Sequence, residues 1–408
     1  MQNIIISYII KFLLRNLASD YMDSTFKHTP EDELILYCAR TQLNEDFKEK
    51  IRSIVFSVLD WEYIIELASY HRLNHFLYFH LNSICPEKVP DEVMLLLKNY
   101  FDLNLLRNLF MFGKLIEILD VLRLNEIDSL PYKGPILAFS AYNNLALREF
   151  ADLDIFVHKK DVSKIRKILM SIGYNPTIEL SQKEEKKFIR TMRDYIFYND
   201  ENRITLEIHW RFPSIFFSLP NTIELFNWED CKTIDLQSNQ ILTALPEDML
   251  LILCIHNAEH RWKRISLLCD LKEFLNANEI DWPIIIDKSK KLGVKRILGI
   301  NIHLTNELLG LTIPDHIFEE LISDKNIRKI SLNIISQMFL GNKNSIYLFE
   351  ETLLSYKLRE NKVLGIKDVI RGATFPGILE WKNIRLPVVL FPLYYLLRPF
   401  LLLKRHLL

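Results

Sequence analysis

The sequence predicts an α+β, mostly helical protein: a small mixed β-sheet core flanked by N-terminal and C-terminal helical regions. Three observations predict it. Long stretches on both sides carry apolar residues at helical spacing. Between them, 152–158 and 204–210 alternate side-chain character residue by residue, the period of a strand. At 408 residues and 49% hydrophobic, the chain can fill two or three domains. The expected division is a helical bundle over 1–125, the sheet-containing core over 126–245, and a helical region with an apolar tail over 246–408.

Composition removes several function classes. A net charge of −1 supplies no global field towards nucleic acid, and no basic patch with interleaved aromatics marks a long nucleic-acid acceptor. Only 10 glycines are present, too few for a multi-glycine phosphate loop to stand out. The five cysteines form no Cys-x-x-Cys pair, so buried thiols in a reducing cytoplasm are expected.

Taken in order, Met1–Leu17 is apolar with Lys11 and Arg15 inside it, which suits an amphipathic helix better than a signal peptide. Helical stripes over 31–124 predict about five helices, with breaks at Thr29-Pro30, Pro86 and Pro90 and an N-cap at Asp60. Ser129–Tyr132 predicts a short strand, and Pro135 suits the first turn of a helix running to about Tyr142. Asp161 is the expected cap of a helix closed by Gly173. Tyr195–Tyr198 and Ile204–Trp210 predict a hairpin around Asp200-Glu201-Asn202. Helices are expected over 248–276, from Trp282 to Gly293, 295–309, 315–339 and 349–358, and with less support over 366–370. Prolines 387, 392 and 399 interrupt the apolar run Leu386–Leu403, so packing on the protein or peripheral contact with a membrane is expected rather than a span.

The chemistry is expected on the two alternating strands. Residues two apart on a strand point the same way, so Asp152 and Asp154 project together, as do Glu207 and His209. If the strands are neighbours, three carboxylates meet on one face, and such like charges call for a cation between them. Mg²⁺, or Mn²⁺, takes oxygen ligands and bridges carboxylates to phosphates. The alternative is a solvated strand edge with scattered acids.

The ordered set resembles the DNA polymerase β-like nucleotidyltransferase superfamily, and within it a bacterial branch of uncharacterised nucleotidyltransferases. The residues that carry the resemblance are Lys133-Gly134, Tyr142, Arg148, Asp152-Leu153-Asp154-Ile155-Phe156-Val157, Gly173-Tyr174 and Glu207-Ile208-His209-Trp210. The resemblance implies a nucleotidyltransferase core that moves an NMP from an NTP to an unknown hydroxyl or phosphate acceptor. It implies Asp152, Asp154 and Glu207 as catalytic metal ligands, and Lys133 and Gly134 at the triphosphate. Pro135 is a departure from the Gly-Gly or Gly-Ser turn of the superfamily, because proline has no N–H to offer a phosphate. It favours the alternative of a non-catalytic nucleotide-binding or partner-binding scaffold.

The resemblance extends to the helix over 248–276, which carries His256, His260, Lys263, Arg264 and Asp270 on one face. That face is expected to be a lid with cationic donors over the phosphates, or else a solvated helix face. The His-x-x-x-His spacing lacks the glutamate of a zinc helix, since Asn257 follows His256. Arg148 is expected to bind phosphate or to pair with Glu149 or Asp152. His209 is expected to orient a ligand or deprotonate an acceptor, or to be a plain strand histidine.

Overall fold

A computed structural model of the chain describes residues 28–212, 219, 225–340, 354–384 and 386–407. The segment Met1–Leu17 lies outside these residues, as does the first half of the helix expected over 349–358. Among the described residues the N-terminal bundle has five helices: α1 (Pro30–Cys38), α2 (Glu45–Val55), α3 (Trp61–His71), α4 (Asn74–Ile84) and α5 (Asp91–Leu124). Asp60 caps α3 as expected, accepting the Tyr63 N–H at 3.0 Å. A capping box between Thr29 and Asp32 starts α1, with Pro30 in its first turn.

The core follows as β1 (Ser129–Pro131), α6 (Gly134–Ser140), β2 (Asp152–Val157), α7 (Val162–Ser171), β3 (Asn175–Pro176), α8 (Gln182–Thr191), β4 (Asp194–Asn199) and β5 (Ile204–His209). The sheet order is β1-β2-β5-β4-β3. β2 and β5 run parallel with Asp154 opposite Glu207, while the other pairings are antiparallel, so the sheet is mixed. Leu153, Ile155, Leu206 and Ile208 are completely buried on the face away from the acids. That burial fixes the register, since a one-residue slip would drive the carboxylates into the core. Asp161 occupies the N-cap of α7 but makes no side-chain cap bond, because its backbone is already helical.

Three parts of the core were not foreseen, the short strand β3 among them. Helix α8 begins with a Ser181–Glu184 capping box. Near the end of the expected core, β6 (Lys232–Leu236) and β7 (Asn239–Thr243) form a two-stranded sheet.

The helix expected over 248–276 is two helices, α9 (Pro246–Glu259) and α10 (Ile265–Ala277). Arg261 and Trp262 between them are left-handed, with φ of 56° and 50°. The buried Trp262 indole N–H donates to Asn301 Oδ1 at 3.0 Å, and Asn257 donates to the same oxygen at 2.9 Å. This tertiary network holds the reversal open. Then come α11 (Trp282–Leu292), α12 (Lys295–Leu309), α13 (Asp315–Ile322), α14 (Lys325–Leu340), α15 (Lys362–Thr374), α16 (Ile378–Asn383) and α17 (Leu393–Leu407). The expected helix over 315–339 is therefore split, at Ser323-Asp324.

Helices α1–α4 and the start of α5 share one apolar core with α9–α14. The sheet shares a second core with the other end of α5 and with Trp381 and Tyr394 of the tail. Helix α5 has 34 residues, about 51 Å at 1.5 Å per residue, and reaches both. In the tail, Tyr394 and Arg398 are buried, and Arg398 pairs with Glu380, while Leu396 and Phe400 face outward. No helix among the described residues is long and apolar enough to cross a membrane.

Candidate active site

Strand β1 ends in a turn that aims a lysine. Lys133 has φ 58° and ψ −146°, a region nearly restricted to glycine, and Gly134 follows at φ 44°. The strained turn brings Lys133 Nζ to 3.2 Å from Asp154 Oδ2. Lys133→Ala and Lys133→Gly both remove the ammonium, but only alanine keeps the strain. The glycine variant is expected to be the more stable by about 1–2 kcal/mol, net of the entropy glycine adds to the unfolded chain, as read from urea midpoints.

The parallel register of β2 and β5 places Asp154, Glu207 and His209 together. One ligand atom from each lies within 4.8 Å of the others. His209 Nε2 is 3.0 Å from Asp154 Oδ1 and 3.3 Å from Glu207 Oε2. Burial opposes a charge on His209, but hydrogen bonds to both carboxylates outweigh it and raise its pKa to about 9. Burial likewise opposes the Asp154 carboxylate, yet Lys133 and His209 hold it well below the usual range. Glu207 is also lowered, burial being outweighed by His209. Asp152, two residues along and outside that cluster, is raised by burial and then by the Asp154 charge.

Because the folded pKa of His209 is raised, the stability it confers is complete below its unfolded value of 6.5 and is lost as pH rises through about 9. In metal-free protein the decline is expected to be on the order of 3 kcal/mol. Urea titrations at about pH 6 and about pH 10 would measure it, and His209→Gln should flatten the difference.

Arg148 does not pair with Glu149 or Asp152. Its Nε and Nη2 donate to Asp270 at 2.7 and 2.8 Å, and its Nη1 donates to the Gly134 carbonyl at 3.1 Å. Tyr142 donates to Asp270 Oδ1 at 2.6 Å. Asn108 on α5 donates to the carbonyls of Leu145 and Arg148, each at 2.7 Å, and steadies the segment that presents the arginine. Arg148 and Asp270 thus form a buried tie between the Lys133 turn and α10. Glu149 instead lies 3.5 Å from Arg72.

A cleft of about 400 Å³ opens over this tie. Lys133, Gly134, Arg148, Asp152 and Asp154 form its floor, and His256, His260, Lys263, Arg264 and Asp270 form one wall. The lid residues therefore reach the site despite the helix break. His256 and His260 enter as neutral rings, since burial and then the Lys133 charge lower both. Lys263 and Arg264 carry the positive charge of that wall. Tyr70, Arg72 and His75 of the N-terminal bundle also line the cleft. Sequence reasoning missed them, because nothing in a helical stripe says which neighbour it will face. Glu207 does not line this cleft; it opens on a smaller one of about 220 Å³.

The donor set fits a hard divalent cation. Asp152, Asp154 and Glu207 project from one face of two paired strands, and Lys133 and His209 already compensate part of their charge. Three carboxylates against the Lys133 ammonium and the protonated His209 leave one negative charge in excess. Asp154 and Glu207, with Asp152, would hold the ion.

The family model described as uncharacterised nucleotidyltransferase matches residues 57–310, more than half of the chain and every residue that lines the larger cleft. No curated protein and no solved structure matches.

Proposed function

Because the chain belongs to the uncharacterised nucleotidyltransferase family, an enzyme family whose activity is not characterised, we propose that it moves an NMP from an NTP to an acceptor oxygen in a reaction dependent on Mg²⁺ or Mn²⁺. The observation that carries this reading is the register of Asp154 against Glu207, with Asp152 on the same face and both aspartates lining a cationic cleft. An oxygen of the acceptor bonds to the α-phosphorus, the bond from that phosphorus to the pyrophosphate oxygen breaks, and the acceptor proton leaves. A bound divalent ion would supply charge neutralisation for the phosphates.

The chain's own residues divide the remaining work. Lys133, Lys263 and Arg264 bind the triphosphate, and the neutral His256 and His260 donate hydrogen bonds to it. Arg148 and Asp270 keep the Lys133 turn in place. Glu207, lowered by His209, is a weak base, so it orients the acceptor O–H and the proton passes to solvent.

A second reading is a scaffold that binds nucleotide without turnover. Pro135 at the start of α6 favours it, as does Lys133 already seated on Asp154. Full-length protein with Mg²⁺ or Mn²⁺, each α-labelled NTP and cell extract should label an acceptor and release pyrophosphate. NTP binding by calorimetry with neither label nor pyrophosphate would select the scaffold.

A further inference from the structure

The smaller cleft lies on the other side of the paired carboxylates: Asp154 faces the larger one and Glu207 faces this one. Arg193, Asp194 and Arg211 line it from the sheet side, and Arg371 and Phe375 line it from α15 and just beyond. Both of the latter lie outside the region that matches the family.

Its charges do not balance internally. Arg193 is taken up by Asp194 at 2.9 Å and Glu259 at 3.0 Å. Glu207 is taken up by His209. Asp368, the acid whose charge acts on Arg371, is bound to Arg359 at 2.6 Å. Arg211 and Arg371 remain. They lie near enough that Arg211, after burial, disfavours the charge on Arg371. The Arg371 guanidinium lies over the Phe375 ring, 5.1 Å from its centroid, but among the described residues its buried Nε has no hydrogen-bond partner. Two guanidiniums that line one cleft, one of them with an unused buried donor, are costly unless an anion joins them.

We propose that this cleft is the acceptor site and takes a phosphomonoester, its phosphate held between Arg211 and Arg371 and its hydroxyl presented at Glu207. A phosphomonoester carries about −1.5 to −2 at neutral pH and matches two guanidiniums, whereas a carboxylate would neutralise one. The proposal rests on nucleotidyl transfer as the reaction. The hydroxyl oxygen bonds to the α-phosphorus of the NTP, pyrophosphate departs, the proton goes to solvent, and the acceptor's own phosphate is unchanged. The tail of this chain, outside the family region, would then select the acceptor.

The test is calorimetric titration of the full chain with inorganic phosphate, glycerol 3-phosphate and glycerol, with and without NTP. Both phosphates should bind, with NTP present as well as absent, and glycerol should not. Arg211→Ala and Arg371→Ala should each weaken phosphate by about 10-fold or more, with Arg371→Lys between, while NTP affinity stays within about twofold. Lys133→Ala should do the reverse. Thermal melts confirm that each variant is folded. No phosphate binding, binding indifferent to both arginines, or displacement by NTP would overturn the proposal. Phosphate bound at the arginine pair of a chain that binds no NTP would overturn nucleotidyl transfer and leave the anion site standing.

Discussion

Asp154→Asn is expected to lower pyrophosphate release by about 10³-fold or more, because it removes the carboxylate shared by the proposed cation site and the Lys133 contact. It should also destabilise the protein. Lys133 and His209 would keep their burial and lose a counter-charge, so the His209 pKa would fall and the stability it confers at neutral pH would shrink. Asp152→Asn separates the two effects. Activity should fall comparably, but this carboxyl is already pushed up by burial and by Asp154, and neutralising it relieves repulsion. Its urea midpoint should match or exceed that of the parent. Equal destabilisation by the two variants, or substantial turnover in either, would contradict this account.

Arg148→Met is expected to cost about 3–5 kcal/mol in urea unfolding, the range for stranding one partner of a buried ion pair. Asp270 would keep only the Tyr142 hydroxyl, and the Gly134 carbonyl would lose its donor. An Arg148→Met/Asp270→Leu double variant should recover much of the loss, because no charge is then left buried alone. A guanidinium that served only to bind phosphate would behave differently: Arg148→Met would raise the KM for NTP and leave unfolding unchanged.

The strands were legible because each has one apolar face that must be buried. The alternation at 152–157 and 204–209 also determines which side chains share the other face, and the parallel pairing then brings Asp154 to Glu207. Asp60 was legible for a similarly local reason, a single cap bond three residues long. The partner of Arg148 was not, since Asp270 is 122 residues away and adjacent acids offered nearer pairings. The break after Glu259 contains no glycine or proline. It exists because Trp262 finds Asn301, 39 residues on. The β6–β7 turn uses Gln237 and Ser238 at positive φ, with none of the Asn-Gly signal that marks a hairpin. Helix α8 did carry its capping box in plain sight, but it is too polar to show an apolar stripe.

The interleaving of the two cores has a consequence for biosynthesis. Helices α1–α4 leave the ribosome before the sheet, yet the apolar faces of Leu34, Ile64 and Leu77 are covered together with Ile252, Leu271 and Leu298. The sheet is synthesised between those two groups. A growing chain can therefore close the sheet early, while the helices that preceded it wait for partners almost two hundred residues downstream. During that interval α5, already anchored on the sheet by Ile118 and Leu122, holds the unfinished half beside the place where its complement will arrive.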